Sequence, residues 1–252
     1  MSDARFALQL YSLRDIGGPL ETVIGRVGEA GIRGVEFAGV DASGVDGTDP
    51  DGIRTALDVS DVSSAGAHVD LAAIEADTAG VASACRTLGC DHVIVPWLGP
   101  EHFETVESIR TAADRLSAAA RTLAEYEIAL HYHNHDQEFV EVGGDRALDR
   151  LLSAADGIGF ELDLGWAGAA GADPLALLAR YSGRIDLLHL KDYDADAGET
   201  VPVGAGDLDV AAVADAARDY GVDWVIYEAE GGADTYETLD AAAEVGMTKF
   251  GK

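Results

Sequence analysis

Lysine is nearly missing from this chain of 252 residues: Lys191, Lys249 and Lys252 are three of 17 basic residues, and the rest are arginine. Against them stand 46 acids, giving a formal charge of −29. Such a surface repels phosphodiester backbones and argues against nucleic acid as a partner. Its self-repulsion is relieved where salt shortens the screening length, to about 3 Å at molar ionic strength. The composition therefore points to a salt-rich, halophilic setting. Cysteine is scarce as well. Cys85 and Cys90 lie outside any CxxC pattern and read as free thiols of a reducing compartment. No apolar run reaches the roughly 18 residues of a membrane span. The opening MSDARFALQLYSLRD has no basic stretch leading into an apolar one, so no secretory signal is read there and a cytoplasmic location is expected. The position after the first strand, YSLRDIGGPL, lacks GxGxxG, which argues against a doubly wound nucleotide binder.

What is present is alternation. Apolar, strand-forming runs fall at 5–11, 33–39, 62–69, 92–98, 127–133, 157–163, 184–191 and 223–230. Helical stretches lie between them, near 19–30, 50–59, 71–88, 101–126, 145–155, 173–181, 207–220 and 233–246. Asp49-Pro50, Asp173-Pro174 and Gly206-Asp207 supply helix starts. Strict β-α alternation means parallel strands with crossover helices. Eight such units in about 250 residues fit a single (β/α)8 TIM barrel, an α/β fold spanning 1–252.

A barrel gathers the C-terminal ends of its strands on one rim. Those ends carry Gln9, Glu36, His68, Trp97, the stretch ALHYHNHDQEF (129–139), Glu161-Leu162-Asp163, His189-Leu190-Lys191 and Glu228-Ala229-Glu230. Three carboxylates, from Glu138, Asp163 and Glu228, converging with His189 would bring a charge of about −3 into one place, and like charges that close do not all stay ionised. A divalent cation resolves the conflict. Oxygen-rich ligation suits Mn²⁺, Mg²⁺ or Co²⁺, with Zn²⁺ as a further candidate.

Nearly the whole chain resembles the xylose-isomerase-like barrels of the sugar phosphate isomerase/epimerase group. The resemblance is carried by LQLYSLR (8–14), GVEFAG (34–39), YHNHDQEF (132–139), FELDLGWA (160–167), HLKDY (189–193), VPVGAGDLD (201–209) and YEAE (227–230). It implies one metal held by side chains from strands five to eight, and it matches Asp163, His189 and Glu228 as three of them. Many relatives carry glutamate where this chain has His133. The nearest carboxylate is Glu138, taken as the strand-five ligand, with His133 or His135 as the alternative. Ala205 departs from the acid that relatives often place in the VGxGxxD loop.

The resemblance further implies an isomerase or epimerase of a sugar or keto sugar, working by proton transfer through a metal-stabilised enediolate. Glu138 and Glu228 are expected as the acid/base pair. Lys191, two residues beyond His189, would stabilise negative charge. Gln9, Glu36, His68, His133 and His135 are expected to bind hydroxyls, and Trp97 and Trp166 to stack on the sugar. The alternatives are a keto-inositol or keto-sugar dehydratase on the same site, or a non-catalytic sugar-binding barrel. GAGDLD (204–209) and EGGAD (230–234) carry acids that repel phosphate, so a non-phosphorylated sugar is expected. No membrane partner is expected; a homo-oligomer is compatible with the sequence.

Overall fold

The computed structural model describes residues 4–230 and 235–251. Eight strands close into a barrel: β1 (Arg5–Gln9), β2 (Gly34–Phe37), β3 (Ser63–His68), β4 (His92–Val95), β5 (Ala129–His133), β6 (Ile158–Asp163), β7 (Leu187–Leu190) and β8 (Trp224–Tyr227). Each pairs in parallel with its sequence neighbours, and β8 closes on β1 with Arg5 opposite Trp224. This is the architecture that alternation predicts, and each strand lies inside its expected run.

Two apolar layers hold it. The outer faces of the strands, such as Leu8, Val35, Phe37, Tyr132, Phe160 and Leu188, pack under the helices and are fully buried. Inside the barrel a smaller plug forms from Ala7, Ala65, Ile94, Leu187, Trp224 and Ile226. Gly34 makes the plug possible, because a Cβ there would stand 2.4 Å from the Trp224 ring.

The helices follow local signals. Asp49 caps Pro50–Ser60 through the Asp51 N–H, and Asp173 caps Pro174–Tyr181 through the Ala176 N–H. The expected helix at 71–88 is two, Leu71–Ala76 and Thr78–Leu88. Asp77, at φ −151° and ψ 72°, breaks it and caps the second half through the Gly80 N–H. The stretch at 101–126 begins with a 3₁₀ turn, and its long helix, Val106–Ala124, starts only after the Thr105/Ser108 capping box. The helix near 207 begins at Val210 with Asp209 as its cap, while Asp207 instead accepts the Ala195 N–H. A short helix, Leu164–Ala169, directly after β6 escaped the sequence pattern. Most of the EGGAD segment, residues 231–234, lies outside the described residues. Among the described residues no helix is long and apolar enough to cross a membrane.

Candidate metal centre and active site

Side chains two apart on a strand share a face. That period places Glu161 with Asp163, His189 with Lys191, and Glu228 with Glu230, all toward the barrel axis at its C-terminal end. Gln9, Glu36, His133, Glu161, Asp163, His189 and Lys191 are buried to 2% exposure or less, and Glu228 to 6%. So many buried polar groups stand only if they satisfy one another or a bound ion.

His189 lies at the centre. Its Nδ1 is 2.8 Å from Glu228 Oε2 and 4.0 Å from Asp163 Oδ2. His133 Nε2 stands 3.8 Å from the same Asp163 oxygen. Ligand atoms of His133, Asp163, His189 and Glu228 thus fall within 4.8 Å of one another. The opposite ring nitrogens each face a carboxylate: His189 Nε2 is 2.7 Å from Glu36 Oε2, and His133 Nδ1 is 2.9 Å from Glu161 Oε2. This is the arrangement in which carboxylates behind metal-binding histidines fix their tautomer and raise their basicity.

Asp163 divides its oxygens between two tasks. Oδ1 accepts the Trp166 N–H and starts the short helix after β6, while Oδ2 makes no hydrogen bond of good geometry. Lys191 Nζ approaches that free oxygen at 3.1 Å, Glu228 Oε2 at 2.9 Å and Glu230 Oε1 at 2.7 Å. An ammonium is therefore already drawn to the carboxylates that a metal ion would neutralise. Two imidazoles, two carboxylates and an orphaned buried oxygen fit a divalent cation. A further grouping, His68, His133, Glu161 and His189, shares two of these residues. His68 Nε2 lies 3.1 Å from both Glu36 and Glu161.

The electrostatics show the conflict. Burial works against every charge here, yet Glu36 and Glu161 push His68 up to about 10 and, with Glu228, hold His189 well above the imidazole range. Burial lifts Glu161 to about 7 and raises Asp163, whereas Lys191 and His189 overcome burial at Glu228 and hold it low. Burial, then neighbouring His189, keeps His133 neutral, as a ligand nitrogen must be.

Above this floor opens a cavity of about 720 Å³. Of the residues predicted from sequence, His68, Trp97, His133, His135, Trp166 and Glu228 line it. His135 sits between Trp97 and Trp166, with ring centroids 4.7 and 5.5 Å away. Gln9 and Glu36 lie deeper. Gln9 donates to Glu36 at 2.6 Å, and Glu36 in turn faces His68 at 3.1 Å and His189 at 2.7 Å.

Glu138 is brought into neither metal grouping. Tyr132 Oη donates to its Oε1 and the His135 N–H to its Oε2 at 2.8 Å, because the 3₁₀ turn Gln137–Phe139 folds it back beneath β5. The residue that meets Asp163 and His189 from β5 is His133. Glu161 and Glu230 join the cluster as well, and their period-two spacing to Asp163 and Glu228 is the sequence signal that marks them. Asn134 adds a lock, donating to the Asp163 carbonyl at 3.3 Å and accepting the Asp163 N–H at 3.0 Å.

The glycine-rich loop after β7 is satisfied from within. Buried Asp192 accepts the N–H groups of Gly204, Gly206 and Leu208 at 2.9, 3.1 and 2.9 Å. No amide of that trio is left to cradle a phosphate.

A closed parallel barrel with a buried histidine–carboxylate cluster at its C-terminal mouth defines a class of metal-capable TIM barrels. Within it, the model of the xylose isomerase-like TIM barrel family matches residues 24–248, and the chain belongs to that family. It is 35% identical over 83 residues to the rhizopine catabolism protein MocC of Rhizobium meliloti, covering 32% of this chain and 25% of that protein. It is 32% identical over 131 residues to an inosose dehydratase of Geobacillus kaustophilus, covering 45% and 42%. The chain thus spans a quarter to under a half of these curated relatives. A solved sugar phosphate isomerase/epimerase from Parabacteroides distasonis shares the fold at a TM-score of 0.82 and 20% identity, covering 97% of this chain and 93% of that one. So does the IolI protein, solved with a bound zinc atom, at 0.71 and 16%, covering 96% of each chain.

Proposed function

We propose that this chain is a divalent-metal-dependent enzyme that moves a proton at the carbon beside the carbonyl of a neutral sugar or keto sugar, isomerising or epimerising it. The reading is carried by the meeting of His133, Asp163, His189 and Glu228 at the floor of an aromatic-walled cavity. Those four residues would hold a divalent cation, which when bound would supply Lewis-acid stabilisation of the charge that develops at the carbonyl. Two imidazoles beside two carboxylates favour Mn²⁺, Co²⁺ or Zn²⁺ over Mg²⁺.

The chain's own groups divide the remaining work. The Glu228 carboxylate, kept ionised by Lys191 and His189, takes the proton from carbon. His68 Nε2, held between Glu36 and Glu161, returns one from another side of the cavity. Lys191 is a positioning residue: its ammonium fixes Glu228 and Glu230 and lies 5.2 Å from the centre of the Trp166 ring. Trp97 and Trp166 offer apolar faces to the sugar ring and exclude water. Glu138 supports β5 from behind rather than holding the ion. Among the described residues lining the cavity none is lysine or arginine, and Asp41, Asp70, Asp136, Glu228 and Glu230 are acids. Together with the Asp192-filled loop, this supports an unphosphorylated substrate. The acid-rich exterior adds a salt-rich cytoplasm to the reading.

A second reading is favoured by the curated relatives named inosose dehydratase. In it the same proton leaves carbon to Glu228, the carbon–oxygen bond one carbon further breaks, and His68 Nε2–H protonates the departing hydroxyl as water. Incubating metal-loaded protein with unphosphorylated keto sugars and keto-cyclitols in D₂O separates the two. Isomerisation or epimerisation conserves the elements of the substrate and introduces deuterium beside the carbonyl, whereas dehydration loses one water. Neither change with any member of the panel, in protein that retains its metal, counts against both.

A further inference from the structure

The stretch ALHYHNHDQEF contains a histidine that the mouth of the barrel does not use. His131 precedes His133 by two residues, so it faces the barrel axis one layer nearer the N-terminal end, about 6 to 7 Å down the strand. Its ring is 1% exposed. Its Nε2 lies 2.9 Å from His92 Nδ1, on the first residue of β4, and 3.9 Å from Asp186 Oδ2, just before β7. The three ligand atoms lie within 4.8 Å of one another.

We propose that His92, His131 and Asp186 form a second metal site, for a zinc-class transition ion, at the N-terminal end of the barrel. Two donors bound at about 2.0–2.2 Å to one such ion stand roughly 3 to 4 Å apart. The His92–His131 and His131–Asp186 separations of 2.9 and 3.9 Å bracket that range. A hydrogen bond between the imidazoles accounts for the first separation, but not for a carboxylate held at the second.

The neighbouring strand is shaped for this ring. Gly159 of β6 pairs with His131, and a Cβ there would stand 2.1 Å from His131 Nδ1. Glycine lets the imidazole lie across β6 toward Asp186 on the far side. The site is separate from the mouth, because Ile94, Leu187 and Ile226 of the apolar plug occupy the barrel interior beside it. It is also reachable: the Asp186 side chain is 50% exposed and His92 is half-buried. A negative exterior draws cations to it. With donors N, N and O and room for water, the ion would tie the starts of β4, β5 and β7. That end of a barrel serves stability rather than chemistry.

The test is zinc stoichiometry in chelated full-length protein, together with anomalous diffraction from zinc-soaked crystals. The Asp163→Asn, His189→Ala variant, with its mouth disabled, should still bind one zinc and gain thermal midpoint on binding it. Adding His92→Ala or Asp186→Asn should abolish both effects. In the otherwise native chain His92→Ala alone should remove one zinc and leave the mouth's ion. An anomalous peak should sit among His92 Nδ1, His131 Nε2 and Asp186 Oδ2. Absence of that peak, or unchanged stoichiometry in both His92→Ala and Asp186→Asn, would overturn the proposal.

Discussion

At the residue scale, the exchange of Glu138 for His133 decides how the mouth holds charge. Both belong to one short stretch, and only the turn after β5 determines which meets Asp163. His133→Ala should lose most of the divalent ion, whereas Glu138→Gln should retain it, as read by metal analysis after chelation and reloading; the opposite pattern would restore Glu138 as the fourth ligand. Glu138 carries a pH signature of its own. Burial raises its pKa from an ordinary 4.5 to about 7. The folded chain therefore keeps a proton that the unfolded chain has already released. The associated stability is complete below about pH 4.5 and is lost as pH rises to about 7, on the order of 3 kcal/mol in all. Urea midpoints of the parent should fall between about pH 5 and pH 7.5, and those of Glu138→Gln should fall less. Residues in strict strand period, such as Asp163, His189 and Glu228, were legible in the sequence because the backbone alone fixes their side. Glu138 was not, because a 3₁₀ turn leaves that periodicity and turns the side chain under β5.

At the element scale, the strand ends work because neighbouring loops are locked by the chain itself. Asp192 is buried and accepts four backbone N–H groups, those of Tyr193, Gly204, Gly206 and Leu208. Asp192→Ala should cost on the order of 3 kcal/mol, since charged hydrogen bonds are lost and buried donors are left bare. Hydrogen exchange should quicken at Gly204, Gly206 and Leu208 first; unchanged exchange there would mean that the loop is held by something else. Gly165 has a different constraint. A Cβ on it would stand 2.7 Å from Lys191 Cγ and 3.0 Å from the Lys191 carbonyl carbon. Gly165→Ala should therefore displace Lys191 and cut turnover more than it lowers stability. All eight strands were readable from alternation, as were most helices, because apolar period and helix starts are local signals. The division at Asp77 and the helix at Leu164–Ala169 were not. The first depends on a backbone angle, and the second on a single Asp163 oxygen acting as a cap.

At the scale of the molecule, a charge of −29 on 252 residues makes stability sensitive to ionic strength. Repulsion among exposed carboxylates is long-ranged in dilute buffer and confined to about 3 Å in molar salt. The thermal midpoint should rise steadily from dilute buffer to about 1 M sodium chloride; a midpoint highest in dilute buffer would count against this account of the composition. The same field attracts cations and repels anions at every exposed surface. It also leaves the internal cluster as a separate problem, solved within the barrel by His68, His189 and Lys191 or by a metal ion.

The most direct measurement is the manganese content of chelated and reloaded protein, compared between the parent and an Asp163→Ala, His189→Ala variant of unchanged fold. The account predicts that the variant holds one equivalent fewer, and that the missing ion gives the parent a paramagnetic signature at the mouth. Equal manganese content in the two proteins would contradict it.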